Sequence, residues 1–106
     1  MPFDGLTPER TVELEALLQM REMLAKPGGW CQGAAYRDGA NCLVQAVVRA
    51  ATTPELAFEV QNRLKSALPR FWWGRFTYNG LIAYNDRPST TQADVVALID
   101  RAIGAC

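Results

Sequence analysis

The chain has 106 residues, eleven basic and eleven acidic side chains, and no histidine. At roughly 100–200 residues per domain, this length predicts one domain over residues 1–106, and such a chain buries roughly 65% of its unfolded surface around one core. Zero net charge argues against a uniformly basic nucleic-acid binder, and the missing imidazole excludes Cys–His and Ser–His–Asp nucleophiles, imidazole metal ligation and a histidine pH switch.

Apolar residues make up 49% of the chain, fifteen of them alanine. Alanine is the best helix former, so composition leans helical. Thr7-Pro8-Glu9 predicts a first helix: a capping hydroxyl, a proline at the first helical position, and an acid at the positive end of the dipole. Leu14, Leu17, Leu18 and Leu24 supply its apolar face, while Glu9, Glu13, Glu15 and Glu22 read as a solvated face. Lys26-Pro27-Gly28-Gly29 ends it.

Residues 30–39 fit no clean period and read as a loop with at most one short turn. A second helix, capped by Asp38 or Asn41, runs to about Ala51 with Leu43, Ala46, Val47 and Ala50 as its buried stripe. Val44 and Val48 lie off that stripe, so this helix is expected to be central and the most buried. Thr52-Thr53-Pro54-Glu55 starts a third helix carrying Leu56, Val60, Leu64 and Leu68, closed by Pro69. The last helix begins near Ser89–Gln92, where Ser89 with Gln92 or Thr91 with Asp94 has capping-box spacing, and buries Val95, Leu98, Ile99 and Ala102.

Residues 69–88 are the least helical. Asn79-Gly80 favours a type I′ turn, and Arg75–Tyr78 and Leu81–Tyr84 have the residue types of short strands. Since a lone hairpin is marginal, the segment reads either as a hairpin or as an irregular loop. The expected fold is therefore all-α: a small bundle of four main helices, with an aromatic loop or short β-hairpin over about 70–85 before the last.

Residues 1–5 lack the basic and apolar regions of a secretory signal, and no apolar run approaches the eighteen or so residues of a membrane span. Cys31, Cys42 and Cys106 are odd in number and not spaced as a zinc site. Reduced thiols in a cytoplasm are expected, with a Cys31–Cys42 disulfide as the alternative. No cofactor and no metal site are expected.

Three local patterns carry a resemblance: Gly29-Trp30-Cys31-Gln32-Gly33, a helix opening at Cys42 among small apolar residues, and Ala83-Tyr84-Asn85-Asp86 before Thr91 at a helix start. Together, over residues 12–103, they resemble an uncharacterised family of small bacterial and phage-borne proteins, a domain of unknown function. That family has a Trp-Cys-Gln-Gly loop, a Cys-containing Ala-rich helix and a Trp-Asn-Asp turn. Tyr84 stands here in place of the family's Trp. The resemblance implies a helical fold and no particular activity.

Two groups of residues are candidate sites. Trp30, Cys31, Gln32, Cys42, Asn85 and Asp86 have the chemistry of a small polar pocket. They equally suit architecture, because Asn85 and Asp86 before Arg87-Pro88 can bond local backbone and Gln32 can satisfy a loop under Trp30. Within this group Cys42 is the one candidate nucleophile, in a first helical turn but with no base beside it in the sequence.

The second group is Arg70, Phe71, Trp72, Trp73, Arg75, Phe76 and Tyr78. Six of the ten aromatic residues fall within 71–84, and residues 63–87 carry five basic side chains and one acid. Aromatics between arginines anchor protein interfaces, grip single-stranded nucleic acid, or close a core. Successive residues of an extended segment face opposite ways, so one of Trp72 and Trp73 is expected at the surface. The leading reading is a non-enzymatic binding protein (an adaptor, an inhibitor or an accessory factor of a mobile element) that engages a protein partner through 70–84. The alternatives are a nucleic-acid-binding module using Arg70, Arg75 and Trp72/Trp73, a small thiol enzyme on Cys42, and self-association through the aromatic segment.

Overall fold

The computed structural model describes residues 8–70, 72 and 80–106. The first helix, α1 (Pro8–Ala25), is followed by two short strands, β1 (Tyr36–Arg37) and β2 (Ala40–Asn41). Helices α2 (Leu43–Ala50), α3 (Pro54–Ala67), α4 (Gly80–Asp86) and α5 (Gln92–Gly104) complete the described chain. The Thr7 cap expected for α1 lies outside the described residues.

α1 packs against α2, α3 and α5 through Ala16, Leu17, Met20 and Leu24, all buried. The inward stripe differs from the expected one. Leu18 is exposed and Leu14 only half-buried, because positions 16, 17, 20 and 24 share a face at 3.6 residues per turn and 18 falls off it. Glu13 falls on the buried face, contrary to the expectation of a solvated one. Its carboxylate accepts from Arg63 Nε of α3 at 2.6 Å, which compensates its desolvation. The chain then turns sharply at Gly29, whose N–H donates to Lys26 O at 2.9 Å.

The hairpin lies elsewhere than expected. β1 and β2 pair antiparallel, with Tyr36 opposite Asn41 and Arg37 opposite Ala40. Asp38 and Gly39 form the tip with φ of 50° and 88°, the positive pair of a type I′ turn. Asn79 lies outside the described residues, while Gly80 opens α4 and Leu81–Tyr84 are helical rather than extended. Leu81 and Tyr84 are buried from that helix, three residues apart on one face, a spacing that no strand provides. The described residues thus hold five helices and a two-stranded ladder rather than four helices alone.

α2 carries its expected buried stripe, Leu43, Ala46, Val47 and Ala50, but Val48 stands exposed, so this helix is open on one side. α3 starts as read: Thr53 caps it by accepting from Leu56 N–H at 3.0 Å, with Pro54 at its first position. Val60, Leu64 and Leu68 are buried and Leu56 half-buried. α5 begins with the Thr91–Asp94 capping box and buries Val95, Leu98, Ile99 and Ala102. One apolar core joins α1, α2, α3, α4 and α5. No helix among the described residues is long and apolar enough to cross a membrane.

Candidate functional site

The segment after α1 and the end of α4 meet at Asn85, whose side chain is almost completely buried. Its Oδ1 accepts the indole N–H of Trp30 at 2.7 Å and the backbone N–H of Leu43 at 3.0 Å. Its Nδ2 donates to Cys31 O at 3.0 Å and to Asp86 Oδ1 at 2.9 Å. Both amide hydrogens and the oxygen are therefore engaged. One side chain joins the Trp30 loop, the start of α2 and the end of α4.

Gln32 completes the junction. Its Nε2 donates to Asn85 O at 2.8 Å and Arg87 O at 2.9 Å, with Thr90 O at 3.4 Å. It thereby satisfies carbonyls that the end of a helix leaves without partners. Asp86 Oδ1 accepts from Gly33 N–H at 2.9 Å, closing the loop onto α4.

Cys31 is buried, and its thiol donates to Ala34 O at 3.4 Å and Ala40 O at 3.6 Å. Burial pushes its pKa up, the neighbouring Cys42 and Asp86 add to this, and Arg37 opposes it. Cys42 is the N-cap of α2, where its sulfur accepts from Gln45 N–H at 3.3 Å. Asp38 and Asn41, expected as caps, stand instead at the turn and in β2. Asn41 is buried, and its Oδ1 has no hydrogen-bond partner among the described residues. All three cysteines are free thiols.

The structure thus gathers Trp30, Cys31, Gln32, Asn85 and Asp86 into one hydrogen-bonded junction, with Cys42 beside it. A cleft of about 290 Å³ borders it, lined by Cys42, Val44, Ile82, Asn85 and Asp86 among others. Among the described residues no three Cys, Asp or Glu side chains cluster as metal ligands would.

Of the aromatic group, Arg70 is exposed and Trp72 is half-buried against the core. The Trp72 ring meets Tyr84 edge-on at 6.3 Å, and the Arg87 guanidinium lies 5.1 Å from both ring centres. Phe71, Trp73, Arg75, Phe76 and Tyr78 lie outside the described residues.

Sequence reasoning passed over three features. Gln92 caps α1 through Nε2 bonds of 2.7 Å to Leu24 O and 2.7 Å to Lys26 O, a long-range role without a local signal. Arg87 stacks on Trp72 and Tyr84, equally unmarked in sequence. Phe58 and Val48 stand out at 62% and 56% exposure, and both line a groove of about 650 Å³ between α2 and α3. Here a signal existed: Phe58 falls off the Leu56–Val60–Leu64–Leu68 stripe, so an exposed aromatic was readable.

No curated protein and no solved structure matches the chain. A family model described as a family of unknown function, DUF6197, matches residues 8–105. Its span takes in the Trp30 loop, the α2 cap and the Asn85 junction together, and the chain belongs to this family of unknown function.

Proposed function

We propose that the protein is a non-enzymatic binding domain that engages a protein partner in a reducing, cytoplasmic setting. The observation that carries this reading is the groove between α2 and α3, where Phe58 and Val48 flank Ala51, Pro54 and Ala57. Single exposed apolar residues are ordinary. An aromatic and an aliphatic sharing one concave surface have the composition of an interface anchor. The polar junction supports the same reading, since the bonds of Asn85 and Gln32 serve the fold. Of segment 70–84, the described residues Arg70 and Ile82 are exposed and are assigned to a second contact of this proposal.

A nucleic-acid reading draws on Arg63, Arg70 and Arg101, which line one cleft beside α3 and α5. It ranks second because Arg63 is paired with Glu13, Arg101 Nε donates to Ala67 O, and Glu59 shares the cleft. One experiment separates them. Tagged protein is used for capture at two salt concentrations, with and without nuclease, beside the variants Phe58→Ser and Arg70→Ala. A partner retained through nuclease and high salt, but lost with Phe58→Ser, supports the groove. Capture abolished by nuclease or salt, and by Arg70→Ala, supports nucleic acid instead.

A further inference from the structure

Trp30 and Asn41 form a parallel bridge: Asn41 N–H donates to Gly29 O at 2.9 Å and Cys31 N–H to Asn41 O at 3.1 Å. One step further along both segments stand Cys31 and Cys42. The bridge is isolated and the two cysteines stand one residue past it, beside backbones that such a pairing holds roughly 4.7–4.9 Å apart. That spacing is inside the roughly 4.4–6.8 Å between Cα atoms that a disulfide spans. The frame is held from the other side too, since Cys42 N–H donates to Ala35 O at 2.9 Å.

The two thiols differ in access. Cys42 is half-buried and lines the cleft beside Asp86, whereas Cys31 is buried beneath the hairpin. An accessible sulfur beside a sheltered one is the arrangement of a peroxide-reactive cysteine with its resolving partner. We propose that Cys31 and Cys42 form a redox-active dithiol that a hydroperoxide converts into an intrachain disulfide bracing the β1–β2 hairpin.

In the first step the Cys42 sulfur attacks the peroxide: an S–O bond forms, the O–O bond breaks, and the leaving oxygen takes up the thiol proton. Cys42 becomes a sulfenic acid and the hydroperoxide is reduced to an alcohol or water. In the second step the Cys31 sulfur attacks the Cys42 sulfur; the S–S bond forms, the S–O bond breaks, and hydroxide leaves with the Cys31 proton as water. Two thiols and one hydroperoxide give one disulfide, one alcohol or water, and one further water. A dithiol reductant reverses the change by exchange.

The test uses the full chain carrying Cys106→Ala, exposed to hydrogen peroxide while folded, then alkylated under denaturing conditions and digested with trypsin. Arg37 lies between the two cysteines, so tryptic peptides 22–37 and 38–49 stay together only if Cys31 and Cys42 are joined. The expected result is simultaneous loss of both alkylation sites, a linked peptide pair in monomeric protein, and full recovery with dithiothreitol. A second variant, Cys31→Ser with Cys106→Ala, is expected to stop at a Cys42 sulfenic acid that dimedone traps. The proposal is overturned if Cys31 stays alkylatable while Cys42 is oxidised alone, if both thiols survive, or if the disulfide joins two chains.

Discussion

The Asn85 carboxamide oxygen accepts the Trp30 indole N–H at 2.7 Å across 55 positions of sequence. The same oxygen accepts the backbone N–H of Leu43, which opens α2. This one buried amide therefore sets where the loop after α1 lies, where α2 begins and where α4 ends. It is the residue on which the candidate site is built.

Replacing Asn85 with Ala leaves the Trp30 indole and the Leu43 N–H without their acceptor in the interior. An orphaned buried donor costs about 1–3 kcal/mol, so Asn85→Ala is expected to lower stability by about 3 kcal/mol or more in urea unfolding. Trp30→Phe keeps the Leu43 bond and should cost less. Equal costs would show that the junction acts through packing rather than hydrogen bonding.

Gln32 and Gln92 do the same work at different places: one satisfies carbonyls at the end of α4, the other at the end of α1. Each Gln→Ala change is expected to cost about 1–2 kcal/mol. The two share no partner, so the double variant should equal the sum within about 0.5 kcal/mol. A larger discrepancy in the measured unfolding free energies would mean that α1 and α4 are coupled through a route other than these amides.

Two glycines should respond differently to alanine. A Cβ on Gly29 would stand 2.2 Å from Met23 O, a backbone atom, whereas at Gly39 nothing lies within 4 Å. Gly39→Ala meets only the left-handed backbone penalty, about 1–2 kcal/mol. Gly29→Ala must displace the end of α1 and is expected to cost about 3 kcal/mol. Thermal unfolding of the pair checks the order; a costlier Gly39→Ala would refute it.

Burial raises the Cys31 thiol pKa above its ordinary value of 9.0. In the window between the unfolded and folded values, the folded state holds a proton that the unfolded state has lost. This contribution to stability is complete below pH 9 and declines as pH rises through the folded value. Cys31→Ala should flatten this alkaline limb relative to the parent chain, read from urea midpoints across the range. An unchanged slope would show that ionisation of other groups sets it.

Much of the fold was legible because its signals are local. The α3 start at Thr53-Pro54, the α5 capping box of Thr91 and Asp94, and the stripes of α2 and α5 depend on residues within one or two turns. Of the two readings of 70–85, hairpin or loop, the hairpin fails because Leu81–Tyr84 are helical, and the hairpin stands at Asp38-Gly39 instead. Asp38-Gly39 and Asn79-Gly80 carry equivalent local chemistry, and a two-residue strand has too few positions to show its period. For the candidate site, residue types were readable and roles were not. Gln32 and Asn85 announce a need for hydrogen bonds, but, the adjacent Asp86 aside, their partners lie 42 to 58 positions away.

By itself, then, the sequence determined a mostly helical chain, the inward face of α2, the start and inward face of α3 and α5, and the absence of imidazole chemistry, because propensity, capping and periodicity act over a few residues. Only the tertiary structure decided that Leu81–Tyr84 are helical, that Glu13 turns inward to Arg63, and that the Trp30 loop closes onto Asn85. Those outcomes depend on which distant surfaces must be covered and which buried polar groups must find partners. Both requirements arise only once the helices have packed.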